Sequence, residues 1–297
     1  MESEFKIEWS ISKGKAAVAL SDQKGIVLWC GGAANQKALA VKIAKRFTLL
    51  GIVIDERRHA SAPKKISQLP SLLWDRLRFK SIYDSWKRLQ RYYEKTFSSW
   101  PDVPVLRVPD INKDETAEFT KKLKPGLIAV SGTALVKDKL LNTPASIGII
   151  NLHTGLSPYV KGGPNCTNWC MANNDWHLAG NTIMWLNAGI DSGNIITSKC
   201  VTIRDLPNLF EVQKKVMEHA HELYLSAIDY VLQERPPYIS VPQQTLGKGK
   251  LFLTKMWTAT ERKRLLKNWK KRKEHSEEKI KPVTIDLPDN FRSGLSS

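Results

Sequence analysis

Long apolar runs are missing from this chain of 297 residues. None approaches the roughly 20 residues a membrane helix needs. The opening stretch, Met1 to Lys15, lacks the apolar segment of a secretory signal. Cysteine is scarce: only Cys30, Cys166, Cys170 and Cys200 are present, too few and too unevenly spaced for a disulfide framework; Cys30 and Cys200 sit in apolar runs and read as buried small hydrophobes. Acidic residues are also few. The 29 Asp and Glu stand against 46 Lys and Arg, a formal net charge of +17. No internal repeat or low-complexity block occurs. These absences predict a cytoplasmic protein in reducing surroundings, held by an ordinary core for which 42% hydrophobic residues are available. The cationic surplus attracts polyanions and phosphorylated molecules without choosing among them.

The α/β alternation is the main signal present. Gly25-Ile-Val-Leu-Trp-Cys30 reads as a buried strand ending at Gly31-Gly32. Leu39, Ile43, Phe47 and Leu50 recur at helical spacing until Gly51, and Gly51 to Asp55 reads as a second strand. That βαβ opening implies a parallel sheet with right-handed crossovers. Residues 57–100 interrupt it with one or two helices rich in Arg and Lys, among them Arg76, Arg78, Lys80, Arg88 and Arg91. The alternation then resumes: strand 105–108, helix 113–124, strand 127–130, a short helix 137–141 and strand 147–153. Two paired strands, 182–186 and 195–201, follow, then a long amphipathic helix over 209–232 with Val216, Ala220, Leu223, Ala227 and Val231 on one face. Prolines 236, 237 and 242 break the pattern. A strand over 251–256 is expected, then a basic helix opened by the capping box Thr258-x-x-Glu261, then a loose end from about Glu274. The domains expected are an N-terminal arm (1–24), a core (25–235, with 57–100 inserted) and a basic C-terminal extension (236–297).

One constellation can carry chemistry. Residues two apart on a strand share a face, so Asn151 and His153 project together at a strand's carboxyl end, where open α/β sheets bind ligands. Asp191 follows in the glycine-flanked loop Asn187-Ala-Gly-Ile-Asp-Ser-Gly193. An amide can stabilise an oxyanion, an imidazole can polarise a carbonyl or move a proton, and a carboxylate can hold that imidazole protonated or accept a proton through water. This is a working set for acyl transfer to an amine, with no Ser or Cys nucleophile required. On spacing alone, a catalytic and a structural role for the three residues are both open. Gly31, Gly32, Ala33, Ala34 and Asn35 form a small-residue turn into a helix. Such a turn suits a phosphate or simply needs small residues, and both readings stand.

Ile150-Asn-Leu-His-Thr-Gly-Leu-Ser-Pro158, Gly162-Gly163 and Gly189-Ile-Asp-Ser-Gly-Asn-Ile-Ile196 together resemble the folate-dependent formyltransferase family. That family includes glycinamide ribonucleotide formyltransferase, methionyl-tRNA formyltransferase and the sugar N-formyltransferases. The resemblance runs from about Gly25 to Val201, excluding the insertion. It implies an α/β fold: a Rossmann-like formyltransferase core with a mostly parallel sheet, a helical insertion and a short basic C-terminal extension. It implies 10-formyltetrahydrofolate as donor and no metal. Asn151, His153 and Asp191 match the family's catalytic trio. Ser131, Gly132, Thr133, Ala134, Leu135 and Val136 match a segment whose backbone contacts the pterin. Asn187, Ala188, Gly189 and Ile190 match the opposing folate loop, and Leu156 and Pro158 the turn that shapes the cleft. The turn 31–35 matches the loop that binds the substrate phosphate in glycinamide ribonucleotide formyltransferase. This chain has Thr154 and Ser157 where many members have Pro and Leu, which leaves the acceptor open.

The spacing Cys166-x-x-x-Cys170, near His153 and His177, resembles half of a zinc site. No second Cys pair follows, so buried thiols on a helix are expected instead. His219 and His221 are given no role. The basic helices 74–95 and 261–273 interleave Trp74, Trp86, Tyr92, Tyr93, Trp257 and Trp269 with cations. A solvated face over packed aromatics is the ordinary reading. The pattern also keeps tRNA as a partner. Methionyl-tRNA formyltransferases add a C-terminal barrel domain, which the stretch after the long helix does not resemble. Deformylases place a regulatory domain before a first strand that here starts near Gly25. The expected acceptor is therefore a small-molecule amine, phosphorylated or nucleotide-linked, with an amino sugar on a nucleotide favoured and methionyl-tRNA second. A basic nucleic-acid-binding protein on a degenerate core is the alternative of another class. The oligomeric state is open, a homodimer included.

Overall fold

A computed structural model describes residues 10–11, 24–57, 69–274 and 281–291. In the N-terminal arm the described strand β1 (Ser10–Ile11) pairs antiparallel with Ile239–Ser240. The arm's other residues through 23 lie outside the described set. Strand β2 (Ile26–Gly31) is apolar along its length because both faces are covered. Ile26, Leu28 and Cys30 join one core cluster, and Val27 and Trp29 the opposite one.

The chain continues through α1 (Ala34–Arg46), β3 (Leu49–Asp55), α2 (Leu69–Arg78), α3 (Lys80–Thr96), β4 (Val105–Val108), α4 (Asp114–Leu123), β5 (Leu127–Ser131), α5 (Asp138–Leu141) and β6 (Gly148–His153). Then come β7 (Val160–Gly162), α6 (Cys166–Ala172), β8 (Gly180–Trp185), β9 (Ile195–Cys200), α7 (Leu209–Gln233), β10 (Ile239–Ser240), β11 (Lys250–Phe252) and α8 (Ala259–Lys271). Seven strands form one sheet in the order β4-β3-β2-β5-β6-β8-β9. The first five run parallel, and β8 and β9 pair antiparallel. This is the mostly parallel α/β sheet that the alternation predicts.

Helices cover both faces. α1 and α7 pack on one, with Leu39, Ile43, Ala220, Leu223 and Ala227 in its core. α4 covers the other, where the Trp29 indole N–H donates to Thr120 Oγ1 at 3.0 Å. The order of strands reverses between β2 and β5, and open sheets bind ligands at the carboxyl ends of such a switch point. The two loops there nearly touch. A Cβ on Gly31 would lie 2.7 Å from the Gly132 carbonyl oxygen.

The structure corrects several expectations. The first helix stops at Arg46, with Phe47 extended. Leu50 belongs to β3, because the sheet takes up the chain from Leu49, opposite Ile26. The strand expected over 251–256 is only Lys250–Phe252, which pairs parallel with β7 before the chain turns. Cys30 is buried, but Cys200 at the end of β9 is half-exposed. The end of the chain is not loose throughout. Ile285, Leu287 and Phe291 are buried, and the Ile285 carbonyl accepts from Ser198 N and Thr197 Oγ1, both at 2.8 Å. That segment covers β9, which ends the seven-strand sheet. The described part of the basic C-terminal extension packs on the core. α8 packs on α6, and Leu265 is fully buried among Trp169, Met171 and Ile203. The capping box is present: Glu261 Oε2 accepts from Thr258 N while Thr258 caps α8. Among the described residues, no helix is long and apolar enough to cross a membrane.

Candidate active site

A cleft of about 810 Å³ opens at the switch point. β6 brings Asn151 and His153 to it on one face. The loop between β8 and β9 brings Asp191 from the other side. All three residues line this one cleft. The glycine-rich turn adds Gly31, Gly32, Ala33 and Asn35, the β5 loop adds Ser131 through Val136, and the β8–β9 loop adds Asn187, Gly189 and Ile190.

Four of the named residues are not in its wall. Ala34 and Ala188 do not line it. Leu156 is fully buried, with a side-chain carbon 3.0 Å from where a Cβ on Gly180 would stand. Pro158 is also buried and follows a cis peptide bond. These last two residues shape the turn behind the cleft wall. Ser157 N in that turn donates to Thr182 Oγ1 at 2.9 Å, and Thr182 Oγ1 donates to the Gly155 carbonyl at 2.8 Å, which pins the turn to β8.

His153 is only 7% exposed, and both of its ring nitrogens face oxygen acceptors. Nδ1 lies 3.3 Å from Asp191 Oδ2, and Nε2 lies 3.1 Å from the Val160 carbonyl oxygen. Two acceptors on one imidazole need two ring protons, so the geometry holds an imidazolium. The electrostatics agree. Burial pushes the imidazole pKa down, but the Asp191 carboxylate pushes it up, with Cys166 and the Val160 carbonyl adding. The net result is a rise from 6.5 to about 10. Cys166 Sγ is 3.7 Å from Nε2, and burial raises its own pKa, so it stays a thiol near neutral pH.

Asp191 has φ +46°, in the left-handed region. Its Oδ2 also accepts from Gly162 N at 2.9 Å, while Oδ1 has no protein donor among the described residues. Asn187 Oδ1 steadies the same loop, accepting from Gly189 N at 3.2 Å and Ser192 Oγ at 2.8 Å. The half-buried Asn151 amide has no protein partner among the described residues, so its N–H groups remain available to a ligand.

Several site residues escape the sequence reading. Asp55, at the carboxyl end of β3, accepts from Ala134 N at 3.0 Å and Arg57 N at 3.1 Å. It fixes the β5 loop and takes one of that loop's backbone donors. Its position at a strand end was a usable signal. Gln243 Nε2 donates to the carbonyls of Asp191 and Gly193, each at 2.8 Å, and nothing in its proline-flanked segment announces this. Gln36 also lines the cleft, and its buried Oε1 has no protein partner.

The helix start at 34–37 is more occupied than a phosphate cradle would be. Ala34 N donates to Gln90 Oε1 at 2.9 Å, and Gln36 N and Lys37 N both donate to the Ala33 carbonyl. Three of the first four N–H groups are thus taken, one of them by a side chain from the insertion. The Gln90 side chain thus occupies one of the backbone donors that a phosphate at this turn would use.

Residues 98–228 match the formyl transferase family. A stretch of 134 residues is 29% identical to the methionyl-tRNA formyltransferase of Clostridium tetani, covering 45% of this chain and 43% of that protein. The chain therefore spans less than half the length of that relative. The solved structure of a 4-N formyltransferase from Francisella tularensis superposes with a TM-score of 0.52 at 18% identity, over 82% of this chain and 87% of that one. Glycinamide ribonucleotide transformylase 1 from Symbiobacterium toebii gives a TM-score of 0.51 at 15% identity, over 78% of this chain and all of its own. At these identities the likeness shows a shared fold.

Proposed function

We propose that this chain, which carries a formyl transferase domain over residues 98–228, transfers a formyl group from 10-formyltetrahydrofolate to a primary amine. The observation that carries this reading is the meeting of Asn151, an imidazolium at His153 and Asp191 in one cleft.

The residues fit such a donor. The cleft is within the ~300–1,000 Å³ of small-molecule sites. The loops 131–136 and 187–190 face it, and the unpartnered Gln36 Oε1 offers a buried acceptor to a ring N–H. The bound donor supplies an electrophilic formyl carbon. As an amine attacks it, negative charge builds on the formyl oxygen. The Asn151 N–H groups are free to donate to that oxygen, and one such donor is worth roughly 3–4 kcal/mol. His153 supplies fixed positive charge nearby. It cannot act as the first base, because it already holds both protons. The amine proton passes to Asp191 Oδ1 directly or through water, and then to the folate nitrogen as its bond to the formyl carbon breaks.

The acceptor favoured is an amino sugar on a nucleotide. The Gln90 side chain at the α1 start works against a phosphomonoester bound there. Methionyl-tRNA is second, favoured by one observation: Arg262 Nη2 donates to both carboxylate oxygens of Asp75, at 2.9 and 3.2 Å, which ties α8, rich in Lys and Arg, to α2, which carries Arg76 and Arg78. A nucleic-acid-binding protein without activity would have no use for the intact trio. The test is an acceptor screen with purified protein and 10-formyltetrahydrofolate, comparing amino-sugar nucleotides, glycinamide ribonucleotide and charged initiator tRNA. Turnover with none of them sinks the acceptor assignment. Turnover retained by both His153→Ala and Asp191→Asn sinks the site.

A further inference from the structure

We propose that the insertion helix α3 builds a nucleobase subsite at the rim of the cleft, with Trp86 as its stacking platform; this rests on the formyl-transfer reading above. Trp86 lines the same cleft as Asn151 and His153, yet it is 40% exposed. It belongs to none of the apolar clusters and has no ring partner among the described residues. An indole carried on a rigid helix at a cleft rim, with its surface unspent, is a preformed stacking surface.

The helix beneath it is well held. Leu89 and Tyr93 of α3 are fully buried against α1 and α7. Gln90 stands one turn beyond Trp86 on the same face. Its Oε1 accepts from Ala34 N at 2.9 Å, its Nε2 donates to Asn35 Oδ1 at 3.1 Å, and Asn35 Nδ2 reaches Met217 Sδ at 3.6 Å. Asn35 and Met217 line the cleft beside Trp86. The insertion therefore occupies one backbone donor at the start of α1 and presents a flat aromatic wall beside it.

The charge of the cleft points the same way. Among its described lining residues, Arg57 and His153 are the only cationic side chains, and Arg57 is paired with Asp110. Among the described residues, little free positive charge faces an acceptor's phosphates inside the cleft. A flat group is the handle the described wall offers, and a base supplies one whatever its identity. The base can belong to a sugar nucleotide or to the 3′ end of a tRNA.

The experiment is calorimetry on the full chain with UDP, dTDP, GDP, the trinucleotide CCA and inorganic diphosphate, alongside tetrahydrofolate, for the wild type, Trp86→Ala and Trp86→Phe. Trp86 is exposed, so the variants are expected to fold, and circular dichroism checks it. The expected result is binding of at least one base-carrying probe but not of diphosphate. Trp86→Ala should weaken it at least about tenfold and Trp86→Phe by less than about threefold, since stacking is worth roughly that much per base. Tetrahydrofolate binding should not change. Preference for a nucleoside diphosphate assigns the sugar-nucleotide source, and preference for CCA assigns tRNA. Failure of every base-carrying probe, or equal binding by Trp86→Ala, overturns the proposal. Base binding without tetrahydrofolate binding would leave the subsite standing and remove the formyl-transfer reading.

Discussion

Gln243 and Asp191 are joined by a 2.8 Å hydrogen bond from the Gln243 side-chain amide to the Asp191 carbonyl. The same amide nitrogen reaches the Gly193 carbonyl at 2.8 Å. Gln243 is 5% exposed and sits in the turn Gln243–Thr245, past the long helix. It therefore holds from beneath a loop whose Asp191 is kept at φ +46°, a conformation most side chains avoid. Replacing it with Leu frees both carbonyls and lets the carboxylate drift from His153. Turnover is expected to fall about 10²-fold, the usual effect of roughly 1 Å of misplacement. The alkaline limb of the pH–rate profile should also move to lower pH, because His153 loses its closest anion. Gln243→Leu with wild-type turnover and an unmoved profile would show that the loop holds its own shape.

The trio itself gives a second prediction. Asn151→Ala should lower kcat by about 10²–10³-fold with KM little changed, because its amide acts on charge present only in the transition state. Asp191→Asn should act differently. The His153 pKa is raised from 6.5 to about 10, so the ring is charged throughout the neutral range. Without the carboxylate, burial is left to push that value down. The sign for stability follows. The stabilisation from His153 is fully present below about 6.5 and is lost as pH rises through about 10. Thermal melts of Asp191→Asn should therefore differ most from the wild type near pH 6.5, by less as pH rises, and converge above pH 10. A constant difference across that range would mean that the pair does not set the charge of His153.

The core sheet and Asn151 and His153 were legible in the sequence because each rests on a local periodicity. The unbroken apolar run of β2 and the two-residue spacing of Asn151 and His153 are properties of a single strand. The clamp on Asp191 was not legible, since Gln243 lies 52 residues downstream of it. The same holds for Gln90, which caps a helix 56 residues upstream. That Leu156 and Pro158 lie buried behind the cleft wall was not legible for a related reason. A motif shows which residues belong to a turn but not which side of that turn faces the solvent. The segment around Ile285, Leu287 and Phe291 looked loose because its apolar residues are few and widely spaced. They find their partners on β9 and on Tyr230.

Tyr224 ties the long helix to the strand that carries Asn151. Its hydroxyl accepts from Val130 N at 2.8 Å and lies 3.1 and 3.0 Å from the carbonyls of Val130 and Ile150, which share its one proton. The side chain is fully buried. Tyr224→Phe keeps the ring but removes that hub, leaving Val130 N short of an acceptor. The expected loss is roughly 1–3 kcal/mol in denaturant unfolding. Because Ile150 is adjacent to Asn151, a smaller loss of turnover should accompany it. A variant as stable as the wild type would indicate that the sheet ladder alone satisfies these groups.

His221 predicts an acid weakness in the fold. It is fully buried on α7, neither ring nitrogen has a partner among the described residues, and its ring lies 5.6 Å from that of Tyr93. Burial pushes its pKa well below 6.5, and the charge of Lys42 adds to this. Lys42 is itself paired, at 2.5 Å with Glu218 and 3.9 Å with Glu222, so those carboxylates face the ammonium from the same helix as His221. In the unfolded chain His221 takes up a proton near pH 6.5, and in the folded chain it does not. Stability from this residue is therefore fully present above about pH 6.5 and is lost as pH falls below it. The loss grows as pH falls further below the free imidazole value, so it is larger at pH 5 than at pH 6. His219 works in the same direction, with its pKa lowered to about 4 chiefly by burial. His221→Phe keeps a ring against Tyr93 and has nothing to protonate. Its Tm should match or exceed the wild type at pH 8 and exceed it by several degrees at pH 5, measured by calorimetry at both. A gap of the same size at the two pH values would mean that packing, and not protonation of His221, sets the acid stability of this helix.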